Sequence, residues 1–377
     1  MKKRLLVLIM IVFSIFTLTS CSGKGCDLLI LNWGDYISDD VVKKFEEEFG
    51  VKVRVTTTDT NEQMYSNIRN KTAEYDIVIP SDYMIDQMHQ DDLLLALDYS
   101  KMSNYQEDMF VSELDSLMNS NDCKSYSGYY VPYFWGSLGI MYNKRLDGVE
   151  EAVKTNGFKV LFDHSLLPHG CKVGMYNSSR DALACAELYL GYSLNTKNKN
   201  EIDDCINLLR STDFYQWGSD DLKLSVSQGK LDVALVYSGD FFDAYYSDLE
   251  AEEDSELDNT KNYSIYAPRD HNNVFFDAMV IPNTCTNYDL ALEFINFMLD
   301  FDNSYDNADF IGYCPTLQSV FDDITSYSEG YGDILQIDAY NPTLIINEPN
   351  SWPEVYSYLG SDIYSYIEKK FTTVLFR

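Results

Sequence analysis

Between residues 28 and 57 the hydrophobic period switches twice. Residues 28–31 (LLIL) form an unbroken apolar run. Val41, Val42, Phe45 and Phe49 then fall on one face of a helix that Ser38 is placed to cap and Gly50 to end, and Val51, Val53 and Val55 alternate as a strand. These three segments predict a βαβ unit. A second helix over about 62–70 leads to YDIVIP (75–80), a buried strand followed at once by SDYM. The pattern returns later, where CKVGMY (171–176) runs into NSSRDALACAELYLGY and KLDVALVYSGD (230–240) runs into FFDAYY. Strand–helix alternation in both halves predicts an α/β fold with two lobes. The length of 377 residues agrees, since it exceeds what one core usually holds. Residues 252–261 are polar and acidic and read as a surface loop; no internal repeat or long linker is visible.

The first residues stand apart from this pattern. Lys2, Lys3 and Arg4 precede an apolar stretch over 5–18, and Leu18-Thr19-Ser20-Cys21 closes it. This layout is that of a bacterial lipoprotein signal (1–20), with cleavage before Cys21, lipidation of its thiol and a short tether over 21–26. An uncleaved anchor or an ordinary secretory signal is the competing reading, but the apolar stretch is short for a membrane span, and no other stretch approaches the required ~18 apolar residues. With 28 basic and 60 acidic residues the chain carries a net charge of −32, which repels nucleic acid and attracts cations. Seven cysteines remain after Cys21, an odd number with no C-x-x-C pair, so they read as buried thiols or at most one or two disulfides rather than metal ligands.

In open α/β sheets ligands bind outside the carboxyl ends of the strands, and the unusual residues of this chain gather there. Trp33, Asp35 and Tyr36 follow the first strand, Ser81 and Tyr83 follow DIVIP, Asp181 follows KVGMY, and Tyr237 and Asp240 follow VALV. The set is aromatic and acidic, with hardly a lysine or arginine. Such a lining suits a cation, through ring faces around an ammonium and charge-assisted hydrogen bonds from carboxylates. Each residue also has a structural reading: Asp181 and Asp240 precede helical segments and are placed to cap them, and Trp33 and Tyr83 suit a core. Asp277, inside the apolar run NVFFDAMVIP (273–282), is the sharpest signal, because a buried carboxylate is costly without a partner. Arg269 is the one basic residue near it in sequence; otherwise its partner is a distant residue or a ligand ammonium.

These stretches carry a family resemblance. LNWGDYISDDVVKKFEEEFGVKV, YDIVIPSDYMIDQM, VPYFWGSLGIMYN, VFFDAMVIPNT, ALEFINFML and IGYCPT, in this order from about residue 27 to 320, resemble the spermidine/putrescine-binding proteins of polyamine ABC transporters. The resemblance implies a type II periplasmic-binding-protein fold, with a ligand cleft between two lobes (27–134 with 275–320, and 135–274 with 321–377). The hinges would fall near 133–136 and 271–276. It implies a first-lobe wall of Trp33, Asp35, Tyr36, Ser81 and Tyr83, and a ligand-facing set of Asp181, Tyr237, Asp240, Phe275, Asp277 and Tyr313. Tyr237 stands where the family usually has tryptophan, Asp181 where it has glutamate, and Ser178 where the spermidine-binding branch has aspartate. The region near Trp352 and Glu354 corresponds to one more polar contact of the family.

The resemblance further implies a monomeric receptor, lipid-anchored outside the cytoplasm, that captures a polyamine and delivers it to a permease with its ATPase. Binding rather than catalysis is expected, with no cofactor, since the four histidines lie outside the strand-end clusters and neither G-x-S-x-G nor H-E-x-x-H is present. A receptor of the same fold for a sugar or another organic cation is the alternative. The serine at 178 predicts that a diamine binds at least as tightly as a triamine, because a third buried ammonium needs a charge that serine does not supply.

Overall fold

Strands β1 (Leu28–Asn32), β2 (Val53–Thr57) and β3 (Ile77–Val78) form from the three apolar runs of the first part, and both others pair in parallel with β1. The computed structural model of the chain describes residues 25–120, 123–252, 260–326 and 338–376; the signal, Cys21 and most of the acidic stretch over 252–261 lie outside the described residues. Helix Asp39–Phe49 connects β1 to β2 and buries Val41 and Phe45. It ends at Gly50, whose φ of 66° is the left-handed conformation that costs glycine least. Ser38 occupies the N-cap position without a side-chain cap; its N–H donates to Asn307 Oδ1 at 2.9 Å instead. The expected strand over 75–80 is only two residues long. The Asp76 carboxylate, rather than a backbone carbonyl, accepts the Leu29 N–H at 2.8 Å, and the ladder starts after it.

β4 (Tyr130–Asn143) is buried along all of its 14 residues. β5 (Val173–Tyr176), β6 (Gln216–Gly218) and β7 (Val233–Tyr237) make a second parallel set. β8 (Tyr263–Tyr266), β9 (His271–Val280), β10 (Cys314–Pro315) and β11 (Trp352–Glu354) complete the strands. The order β2-β1-β3-β9-β4-β7-β5-β6 places β4 and β9 between the two parallel sets. β4 pairs antiparallel with β9 over Tyr130 to Ser137, then from Leu138 onward with β7 and, from Ile140, with β8. One strand thus serves both halves, which accounts for its complete burial. The change of partner comes just after Gly136. A Cβ there would meet Phe275 Cζ and Ser238 Oγ at 2.8 Å, so a side chain at the crossing would force Phe275 and Ser238 to shift.

Helices cover both sets. Helix Ser361–Leu375 packs on helix Lys199–Ser211, and helix Phe301–Ile311 touches both Asp39–Phe49 and Ser238–Glu252. Cys185, Cys205 and Cys314 are buried free thiols, pushed up in pKa by burial, and act as small apolar packing residues. No helix among the described residues is long and apolar enough to cross a membrane.

Candidate ligand-binding cleft

The strand ends singled out in the sequence open onto one cavity of about 190 Å³. Trp33, Asp35, Tyr36, Ser81, Tyr83, Asp181, Tyr237, Asp240, Phe275, Asp277 and Tyr313 all line it, and so does Ser178. The first wall grows directly from β1. Gly34 and Asp35 make the turn, Asp35 at a φ of 47°, and this sends the next side chain, Tyr36, inward. Trp33 is half-buried and pinned by its indole N–H, which donates to the Ile79 carbonyl at 2.8 Å. Both Trp33 and Tyr83 pack on the core while lining the cavity, so the core and cleft readings hold together. Ser81 and Asn61 bind each other twice, Asn61 Nδ2 donating to Ser81 Oγ and the Ser81 N–H to Asn61 Oδ1, at 3.0 and 3.1 Å. The Tyr83 hydroxyl donates to Glu62 at 3.0 Å.

Asp277 sits mid-strand in β9, opposite Phe134 of β4, and is 5% exposed. Its Oδ2 accepts the Tyr36 hydroxyl at 2.7 Å, while Oδ1 is buried with no hydrogen-bond donor among the described residues. No salt bridge among the described residues reaches it. Arg269, the one basic residue near it in sequence, is held by Asp338 and Glu348. Burial pushes the Asp277 carboxyl up to about 6, with the neighbouring hydroxyls of Ser81 and Tyr36 pulling the other way. The residue lines the cavity, and a buried carboxylate with an unfilled acceptor position is costly without a cationic partner.

The second half supplies Asp181 and Asp240. Ser178, not Asp181, caps helix Ser179–Leu190, its hydroxyl accepting the Asp181 N–H at 3.3 Å. The Asp181 carboxylate is left to take the hydroxyls of Tyr237 at 2.6 Å and Tyr356 at 3.4 Å, and burial raises its pKa. Asp240 does serve its helix, accepting the Tyr237 N–H at 3.1 Å, and it also takes the hydroxyls of Tyr176 at 2.7 Å and Tyr313 at 3.0 Å. Burial holds these tyrosines in their protonated, donating form. The Phe275 and Tyr237 rings meet edge to face at 4.9 Å, and so do Tyr36 and Tyr313. Gly239 makes the second contact feasible. A Cβ on it would lie 2.2 Å from the Tyr313 ring.

Three features differ from the sequence reading. The cavity is not free of basic residues, because Lys223 lines it and pairs with Asp243 at 2.6 Å and Asp240 at 3.7 Å. In the helix Asp221–Ser227, with Leu222 and Val226 buried, periodicity assigns this lysine to a solvated face, and no local signal marks it. The contact sought near Trp352 and Glu354 comes instead from Tyr356. Glu354 is held by His271, Ser193 and the Leu194 N–H, and Trp352 stacks outside on His271. Glu62, Tyr176, Asp220 and Asp243 were also missed. Tyr176 was accessible to the strand-end argument, since it closes β5 as Tyr237 closes β7.

Residues 40–330 match the family described as bacterial extracellular solute-binding protein. Among similar proteins, the spermidine/putrescine-binding periplasmic protein of Salmonella typhimurium is 27% identical over 292 residues, covering 76% of each chain. A putrescine-binding periplasmic protein of Pseudomonas aeruginosa is 29% identical over 280 residues, covering 72% of this chain and 73% of its own. The solved structure of a spermidine/putrescine ABC transporter substrate-binding protein from Streptococcus pneumoniae superposes with a TM-score of 0.69 at 28% identity, covering 93% of this chain and 98% of that one. The two parallel sets joined by β4 and β9 are accordingly the two lobes of a periplasmic-binding-protein fold, and the chain belongs to the bacterial extracellular solute-binding protein family.

Proposed function

We propose that the chain is the polyamine receptor of an ABC importer, binding putrescine or spermidine in the cleft and presenting it to a permease with its ATPase. The observation that carries this reading is Asp277, a buried carboxylate with one unsatisfied oxygen at the wall of an aromatic, acid-rich cavity. A ligand ammonium supplies the missing donor and charge, and the faces of Trp33, Tyr36, Tyr237 and Phe275 cover the methylenes between amines. The relatives that bind spermidine and putrescine support the same ligand class. Eleven residues act in binding: Trp33, Asp35, Tyr36, Ser81, Tyr83, Asp181, Tyr237, Asp240, Phe275, Asp277 and Tyr313. The receptor works as a monomer at the outer face of the cell membrane, held by lipid on Cys21. It has no catalytic role, because its carboxylates are committed to holding charge rather than to activating a nucleophile. Calorimetric titration of the mature protein with putrescine, spermidine and uncharged sugars tests the reading. Saturable binding of an amine, with none of the sugars, is the expected result; sugar binding without amine binding rejects it.

A further inference from the structure

Within that polyamine reading, Lys223 changes what the cleft can accept. Its ammonium is mostly enclosed, with the side chain 13% exposed. Asp243 holds it at 2.6 Å, Asp240 lies at 3.7 Å, and the solvent-exposed Asp220 adds a third carboxylate to its surroundings. Beside this lysine Asp240 is already dressed by the protein at three positions: Oδ1 takes the Tyr313 hydroxyl, and Oδ2 takes the Tyr176 hydroxyl and the Tyr237 N–H. A ligand amine arriving at this end meets a like charge and a carboxylate already dressed by the protein. Asp277 has neither a paired cation nor a donor on Oδ1 among the described residues, and Asp181 is bonded to tyrosine hydroxyls with no ion pair among the described residues.

We propose that Lys223 is a tethered ammonium that occupies the Asp240–Asp243 end of the cleft, so that the receptor takes a short diamine between Asp277 and Asp181 in preference to a triamine reaching that end. The lysine stands in for one amine of a longer ligand. This inference rests on the polyamine reading, and it makes the residue at 223 a determinant of ligand length, independent of the serine at 178.

Calorimetry with putrescine and spermidine on the parent protein, Lys223→Met and Lys223→Arg tests it. The parent should prefer putrescine. Lys223→Met, which keeps the side-chain length and removes the charge, should shift the ratio of the two affinities toward spermidine by about tenfold or more, because a carboxylate pole is freed for the third amine. Lys223→Arg should restore the parent preference. Should Lys223→Met lose the native circular dichroism, the double variant Lys223→Met/Asp243→Asn, which leaves Asp240 and Asp220 at that pole, makes the same comparison. A parent that prefers spermidine overturns the inference without any variant. So does a folded charge-free variant whose ratio stays within about twofold of the parent. In both of those cases amine binding itself persists and the polyamine reading stands, whereas a parent that binds neither amine overturns both.

Discussion

A single carboxylate, Asp277, carries more of the binding argument than any other side chain. Its folded pKa of about 6 lies above the ordinary aspartate value of 3.8, so the native state binds its proton more tightly than the unfolded chain does. The stability this group contributes is therefore present at low pH and is lost as pH rises from about 4 to beyond 6. Asp277→Asn should raise the unfolding free energy by about 2–3 kcal/mol at pH 7.5, with the gain shrinking as pH falls to 4, as followed by urea unfolding at both values. The same variant should bind putrescine about thirtyfold to several-thousandfold more weakly, since losing one partner of a desolvated charge pair costs about 2–5 kcal/mol. In the parent, affinity should weaken about tenfold between pH 7.5 and 5, because the cation needs the ionised carboxylate. A binding constant flat across that range would show that Asp277 does not hold the ammonium.

Among the elements, the junction of β7 with helix Ser238–Glu252 sets the cleft's shape. Gly239 there lets the Tyr313 ring approach and place its hydroxyl on Asp240. Gly239→Ala should cost about 1–3 kcal/mol in stability, since a Cβ 2.2 Å from the ring forces Tyr313 or the helix to move. Tyr313→Phe, which removes only the hydroxyl, should cost about 1 kcal/mol. Urea denaturation separates the two; equal losses would mean that the ring has room and that only its hydrogen bond matters. β7 was readable in this region as an uninterrupted apolar run, VALV, because both of its faces are buried. β3 shows the limit of such reading. Its apolar run is longer than its ladder because the Asp76 side chain accepts the Leu29 N–H that a backbone carbonyl would otherwise take.

For the whole molecule, β4 and β9 run through both halves and place Phe275 and Asp277 between the walls contributed by each. A ligand touching Tyr36 and Asp277 on one side and Asp181 and Tyr237 on the other favours the form in which both sides meet it. The lipid tether proposed at Cys21 belongs to this scale too, since it would decide where the protein works. Cys21→Ser should release the protein from the membrane or leave it unprocessed, as judged by fractionation and mature size. A variant that still fractionates with membranes at the mature size would remove Cys21 as the attachment point.

The amino-acid sequence by itself determined the α/β class, the strand ends and most of the aromatic and acidic residues that gather there. These follow from local rules: burial imposes a period on each element, and a carboxylate in an apolar run such as VFFDAMV is conspicuous wherever the chain places it. Tertiary structure alone decided which charges meet. Lys223, Asp240 and Asp243 come from two helices, Asp221–Ser227 and Ser238–Glu252, and their pairing depends on the approach of those helices. Tyr356 reaches Asp181 across 175 positions of chain. Electrostatic partners act through distance in space, which sequence period does not encode. The acids were therefore legible as a set, while the lysine that neutralises one end of the cleft was not.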